Sequence, residues 1–383
     1  MIYLDHSATT PVDPRVLEAM MPYFSEIYGN AASSYALGME ANSAVEKARA
    51  QIAAAINASP DEVVFTSGGT ESNNLAIKGV MFASNNRERN HFITTPIEHH
   101  AVLEPAAGIA AHGCVSEIIP IPGDGVVDPD DIRKRITGST QLVSVMHANN
   151  EIGTIQPISE IGEICASAGV KFHTDAVQSF GKLPINVKQM GVDLLSLSGH
   201  KLYGPKGVGA LYIRRGTCLA RQQEGGEQER RRRGGTLNVP GIVGLGKAVE
   251  IARQEMVNDF TRQSELRNRF FDQIRLKLSG VHITGSVASR MPNNIHICVE
   301  EVDGEPLLLS LDFAGICASA GSACSTGTTE PSHVITALGI PRELARGAMR
   351  LTLGRATTWA DLEVTLDVLQ RSIQELRRLS THV

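Results

Sequence analysis

No run of apolar residues approaches the roughly 20 needed to span a bilayer, so no membrane-crossing helix is expected. The stretch MIYLDHSATTPVDP at the N-terminus has no basic region followed by an apolar one, and no secretory signal is expected from it. The six cysteines (Cys114, Cys165, Cys218, Cys298, Cys317 and Cys324) include no C-x-x-C pair. Their scatter argues against a zinc site or a disulfide framework and makes the reducing cytoplasm the expected compartment. Positive charge is not in excess. Lys+Arg number 36 against 41 Asp+Glu, a formal net charge of −5, without the basic field that direct nucleic-acid binding would call for. Neither the G-x-x-x-x-G-K-[S/T] nor the G-x-G-x-x-G fingerprint occurs, which argues against a P-loop or a dinucleotide site. Internal repeats and low-complexity tracts are missing too.

What is present is ordinary globular composition, 42% hydrophobic and 20% charged over 383 residues, long enough for two lobes with separate cores. Apolar strand-like runs at 62–66, 91–95, 141–147, 170–176, 193–198 and 209–214 alternate with helical periodicity. That alternation predicts an α/β fold with a mainly parallel sheet covered by helices on both faces. A long amphipathic stretch through IVGLGKAVEIARQEMVNDFTRQSELRNRFFDQIRLKL hands the chain to a smaller α+β lobe. There NNIHICV, GEPLLLSLDFAGI and AMRLTLG read as strand, helix and strand, before a closing helix WADLEVTLDVLQRSIQELRRL. The expected division is a large domain over 15–255 and a small one formed by 1–14 and 256–383.

Polar groups recur where the predicted strands of the large lobe end. In an open α/β sheet those positions line the ligand crevice. FTSGGTESNN is a strand, a Gly-Gly turn at Gly68 and Gly69, and a helix opened by Thr70, an arrangement that can hold a phosphate or can simply be a turn. Asp175 and Gln178 follow the strand of KFHTDAVQS; the carboxylate there is either a helix cap or a functional group. His99 and His100 follow another strand, and Asn149, Asn150 and Glu151 a third. Lys201 in SGHKLYGPKG ends a buried run, where an amine is poorly solvated unless it is covalently engaged. A lysine for a Schiff base, an acid for a pyridine nitrogen, an imidazole for stacking and a phosphate turn together suit pyridoxal phosphate.

The ordered set YLDHSATTP, FTSGGTESNNLAI, EHHAVL, ANNEIGTIQP, HTDAVQSFGK, SGHKLYGPKGVGALY, GGEQERRRRGGTLN and GSACSTGTTEPSHV resembles the cysteine desulfurases. The match is to the NifS/IscS-like group of class V, fold-type I pyridoxal-phosphate enzymes, and runs from residue 3 to about 375. The resemblance implies roles residue by residue. Lys201 matches the cofactor-binding lysine, Asp175 the partner of the pyridine nitrogen, and His99 the stacking and proton-moving histidine. Gln178 matches the residue bonded to the phenolic oxygen, while Thr70, Ser198 and His200 match the phosphate cradle beside Gly69. Thr236 matches a phosphate ligand given by the second subunit of a homodimer, and Asn150 and Arg350 match the groups that hold the substrate carboxylate. With Thr236 next to it, the ERRRR run (Glu229 to Arg233) reads equally as an interface and as a solvated loop.

Cys324, in the Gly/Ser/Thr-rich ASAGSACSTGTTEPSHV, matches the nucleophilic cysteine of the long-loop desulfurases; the composition itself implies a loop of low local stability. Cys317 reads as a strand-end core residue. The chain departs from common family forms at Asn30-Ala31 and Tyr35, near the expected substrate mouth. The implied reaction takes L-cysteine to L-alanine with a persulfide on Cys324, for an acceptor such as an iron–sulfur scaffold or a thiolation enzyme. A selenocysteine lyase, another class V enzyme such as an aminotransferase, and a non-enzymatic docking protein are the competing readings. A mobile thiol counts against the aminotransferase. The joint presence of Lys201, Asp175, His99 and Cys324 counts against the docking protein.

Overall fold

The computed structural model describes residues 1–83, 88–321 and 330–380. The chain opens with strand β1 (Ile2–Tyr3) and helices α1 (Pro14–Met20), α2 (Pro22–Ser25) and α3 (Ala36–Ile56). Asp13 starts α1 by accepting the Arg15 N–H, and Pro14 stands where a helix loses no hydrogen bond by it. Strands and helices then alternate: β2 (Val63–Thr66), α4 (Gly69–Ala83), β3 (His91–Thr94), α5 (His100–Gly108), β4 (Val115–Ile118), α6 (Pro129–Arg135), β5 (Thr140–Ser144), α7 (Ile158–Ala168) and β6 (Lys171–Asp175). With β7 (Leu194–Ser198) and β8 (Gly209–Ile213) they build a seven-stranded sheet of order β2-β8-β7-β6-β5-β3-β4.

Every neighbouring pair from β7 to β4 is parallel, and β8 runs against both β7 and β2. Chain length explains the exception. Residues 199–208 alone join β7 to β8, and a parallel return needs a crossover of about a dozen residues or more. That short connection is the one that carries Lys201.

The strands β2, β3, β5, β7 and β8 are buried at every residue, as continuous apolar runs covered on both faces require. On one face lie Val45 and Ile52 of α3; on the other lie Leu75 and Ile77 of α4 and Val102 of α5. Strand β4 has no place in the sequence reading because it is an edge strand, VSEI, with an exposed pattern and no apolar run.

Helix α8 (Val239–Lys277) links two cores. Its first half puts Ile242, Leu245 and Val249 in the core beside the seven-stranded sheet, and its second half puts Phe270, Phe271 and Ile274 in another. The second core lies against a three-stranded antiparallel sheet of order β12-β10-β9, made of β9 (Val281–Ile283), β10 (Asn294–Val299) and β12 (Ala348–Thr352). Helix α9 (Gly304–Phe313), strand β11 (Ile316–Cys317), helices α10 (His333–Ala337) and α11 (Arg342–Ala345), and the closing α12 (Trp359–Ser380) complete this part. The N-terminus returns to it, with β1 parallel to β11 and Leu4 in its core. Cys317 ends β11 but is half-buried rather than packed away.

Candidate active site

The strand exits of the large sheet converge on one cavity of ≈250 Å³. Lys201 reaches it from the 3₁₀ turn Gly199–Lys201 just past β7, and its Nζ donates to the carbonyls of Ser7 (2.5 Å) and Ala8 (2.7 Å). Gln178 Nε2 donates to the same Ser7 carbonyl at 3.0 Å. The N-terminal segment thereby fixes two of the expected groups. Backbone carbonyls leave no mark in the sequence, so the residues of YLDHSATTP carry no signal for this role.

Asp175 ends β6 and is 5% exposed. One carboxylate oxygen accepts from Asn73 Nδ2 (2.7 Å) and the other from the Val177 N–H (2.9 Å). The amide oxygen of Asn73 is itself buried without a hydrogen-bond partner. Asn73 stands one helical turn after Gly69 on α4, so the i, i+4 spacing in GTESN was the available signal for it.

His99 caps α5, its Nδ1 accepting the Ala101 N–H at 3.0 Å. That bond leaves Nε2 to carry the proton of the neutral ring. Burial pushes the His99 imidazole below its ordinary range. Asp175 opposes the shift, and Lys201, His100 and His333 add to it. The ring is therefore neutral near pH 7, with the Nε2 proton available to give. Glu98, next in the chain, is fully buried. One oxygen accepts from Thr95 Oγ1 and from the Met146 N–H, and the other has no partner. Burial pushes this carboxyl up to about 8, so it is protonated at neutral pH.

Gly69, Thr70, Ser198 and His200 also line the cavity. Gly68 has φ +151°, a backbone that other residues rarely adopt, and a Cβ on Gly69 would stand 2.7 Å from Val177 Cγ2. The first turn of the 15-residue α4 offers its unbonded N–H groups there. Burial first, then Lys201, Lys206 and Lys182, bring His200 down to about 4, and its Nδ1 bonds Thr9 Oγ1 at 3.1 Å. Lys182 shares a smaller cavity with Lys201, and burial brings its amine down to about 7.

Arg350, in mid-strand on β12, is 1% exposed and reaches the same cavity. Its Nη1 donates to the Asn150 carbonyl (3.0 Å) and its Nη2 to Asp5 Oδ1 (2.8 Å). The Arg350 backbone also exchanges hydrogen bonds with Ser319, on the segment that leads toward Cys324. Cys324 itself lies outside the described residues. Thr236 is exposed and does not line the cavity. Within the arginine run, Glu229 is buried and bidentate with Arg49, at 2.8 Å for both bonds, and also accepts the Phe65 N–H. Arg230 and Arg231 are the exposed members.

These groups fit pyridoxal phosphate. A carboxylate held by two donors suits a protonated ring nitrogen, a neutral imidazole suits its face, and the Lys201 amine lines the same cavity. The glycine turn and helix N-terminus suit an anion. The fold and this cavity define a fold-type I pyridoxal-phosphate enzyme. The aminotransferase class-V family model matches residues 2–364. The chain is 50% identical over 381 residues to the cysteine desulfurase IscS of Dictyoglomus turgidum, covering 100% of this chain and 96% of that one. A solved NifS-like protein superposes with a TM-score of 0.92 at 37% identity, covering 98% of this chain and 99% of the other. SspA, solved in complex with cysteine, superposes with a TM-score of 0.82 at 37% identity over 92% and 99% of the two chains. The chain belongs to the aminotransferase class-V family and, within it, to the cysteine desulfurases.

Proposed function

We propose that the chain converts L-cysteine to L-alanine and takes the sulfur onto Cys324 as a persulfide for delivery to an acceptor protein, such as an iron–sulfur scaffold or a thiolation enzyme. The observation that carries this reading is the meeting of Lys201, Asp175, His99 and Arg350 at one cavity. The likeness to SspA, solved with cysteine, supports the substrate. Bound there, pyridoxal phosphate supplies an electron sink that weakens the bond between the substrate's carbon and sulfur. Asp175 keeps the ring nitrogen's proton in place, and Lys201 Nζ holds the cofactor and later moves protons. His99 Nδ1 is tied to the α5 backbone, so Nε2 is the atom free to exchange a proton. Arg350 and Asn150 grip the substrate carboxylate, a task that suits a planar guanidinium. The Cys324 thiolate forms a bond to the substrate sulfur as the carbon–sulfur bond breaks, and the carbon skeleton gains protons and leaves as alanine. Only the thiolate is an effective attacker.

Three further features belong to this reading. Residues 15–255 form the large domain and 1–14 with 256–383 the small one; the two apolar cores at opposite halves of α8 support the division. The working unit is a homodimer. Exposed Leu17, Met21, Phe24 and Tyr28 offer an apolar face, and Thr236, exposed and not among the residues lining its own cavity, would serve a neighbour's. The enzyme works in the cytoplasm, in keeping with the free thiols of all five described cysteines and with the absence, among the described residues, of a helix long and apolar enough to cross a membrane.

The test is mass spectrometry of the holoenzyme mixed with L-cysteine. The peptide bearing Cys324 should gain one sulfur that reductant removes, and Cys324→Ser should keep the cofactor's absorbance while releasing no alanine. Undiminished alanine release by the serine variant would falsify the desulfurase reading.

A further inference from the structure

The three-stranded sheet has two unlike faces. Ile295, Ile297 and Val299 of β10 lie in an apolar core with Met349 and Leu351 of β12. Strand alternation turns Asn294, His296 and Cys298 to the other face, together with Ala348, Arg350 and Thr352. In the antiparallel register His296 stands directly opposite Arg350, so their Cβ atoms are roughly 5 Å apart.

Both side chains are buried, at 0% and 1% exposure. Neither ring nitrogen of His296 has a hydrogen-bond partner, and Arg350 Nε has none either. Such groups are uncommon in folded proteins, and each calls for a reason. Two facing groups with a donor and an acceptor to spare point to one reason. Burial, then the charges of Arg290 and Arg350, keep the His296 ring neutral, so it offers a lone pair without adding charge. A carboxylate in its place would neutralise the guanidinium and compete with a substrate for it.

The guanidinium is otherwise engaged at its tips, by Asp5 and by the Asn150 carbonyl. A substrate carboxylate must take over those tips, which turns the head group and leaves Nε–H in need of a neutral acceptor. We propose that His296 is a positioning residue for Arg350, accepting its Nε–H when the guanidinium turns from Asp5 to a substrate carboxylate. This rests on the reading of Arg350 as the group that binds that carboxylate.

The experiment titrates the holoenzyme with L-alanine, which has the carboxylate, and with ethylamine, which lacks it, following the cofactor's absorbance. His296→Leu should weaken L-alanine binding about tenfold, the loss of one hydrogen bond to a charged group, and leave ethylamine binding unchanged. His296→Asn, which keeps an acceptor oxygen, should stay within about threefold of wild type for both. With L-cysteine, the leucine variant should raise KM about tenfold with little change in kcat. His296→Val, a residue suited to a strand interior, provides a second apolar probe with the same expectations should the leucine variant misfold. Unchanged L-alanine affinity in the apolar variants, or equal loss for both ligands, overturns the proposal. Arg350→Ala separates the two layers. If it leaves the L-alanine to ethylamine ratio unchanged, the reading of Arg350 itself fails. If it changes that ratio while the apolar His296 variants do not, the His296 role alone is overturned.

Discussion

In the seven-stranded sheet the reactive side chains stand at or just past the ends of strands, whereas in the three-stranded sheet Arg350 and His296 stand in the middle of theirs. The difference follows from how each sheet is covered. Strands β5 and β7 are buried on both faces, so their interiors have no room for a charged group, and Lys201 waits for the turn after β7. Asp175 likewise comes at the last residue of β6, where Asn73 and the Val177 N–H reach it. The antiparallel sheet packs one face into an apolar core, and its other face carries Asn294, His296, Arg350 and Thr352 beside the apolar pair Cys298 and Ala348, so alternation lets polar side chains stand in mid-strand and Arg350 reach the cavity. A crevice at strand ends tolerates loop variation. A group in mid-strand is fixed by register, and its neighbours on either side belong to the core.

The comparison makes graded predictions. The largest effect belongs to Lys201→Ala. Turnover should fall by at least about a thousandfold and the visible absorbance of the bound cofactor should vanish, with the thermal melt of the apoprotein unchanged. A strand-exit position carries chemistry rather than stability, and a large drop in melting temperature would break the contrast.

Next is Asp175→Asn. It should still take up the cofactor but lose activity by about a hundredfold or more, because the ring nitrogen loses the carboxylate that keeps it protonated. Near-normal turnover would reduce Asp175 to the role of a cap for Val177.

Leu351→Ala sharpens the other side. Leu351 is adjacent to Arg350 but faces the opposite way, 0% exposed in the small core. Its truncation should cost about 2–5 kcal/mol in denaturant unfolding. Cofactor uptake should be unaffected, as should the preference for carboxylate-bearing ligands. A change in that preference without loss of stability would mean that the two faces of β12 are not independent.

The smallest effect is that of Glu98→Gln, read as pH dependence. In the folded chain this carboxyl is raised to about 8, well above its value of 4.5 in an exposed setting. Between those values the unfolded chain gives up the proton and the folded chain keeps it. The buried acid's contribution is therefore fully present below about pH 4.5 and lost as pH rises toward 8. Glutamine cannot ionise, so the variant should lose less stability between pH 5 and pH 8 than wild type does, with activity near normal at pH 7. Equal pH dependence in denaturation midpoints would show that Glu98 is ionised in the fold.

Much of this was legible in the order of residues. The runs that became β2, β3, β5, β7 and β8 were visible because strands covered on both faces are rich in apolar residues, and β6, with only Phe172 apolar, was visible from its place in the alternation with helices. Lys201, Asp175, His99 and Gly69 were visible because polar residues interrupt the pattern where those runs stop. Strand β4 was not, since an exposed edge needs no apolar residues. Nor were the carbonyls of Ser7 and Ala8 on Lys201, or the support of Asp175 by Asn73, because backbone acceptors and long-range amides leave no mark on local composition.

The sequence by itself determined which segments had to be strands, which turn could hold an anion, and that a lysine stood where only a covalent or tightly bonded amine is stable. Periodicity and the cost of burying charge act locally, within a few residues. The tertiary structure alone decided that β8 reverses, that residue 296 faces residue 350 across a strand pair, that Glu229 is drawn inward to Arg49, and that the N-terminus lies over the lysine. Those outcomes depend on register, packing and chain closure between residues far apart in sequence, and the free energies that choose among them are set by the assembled core rather than by any short stretch of the chain.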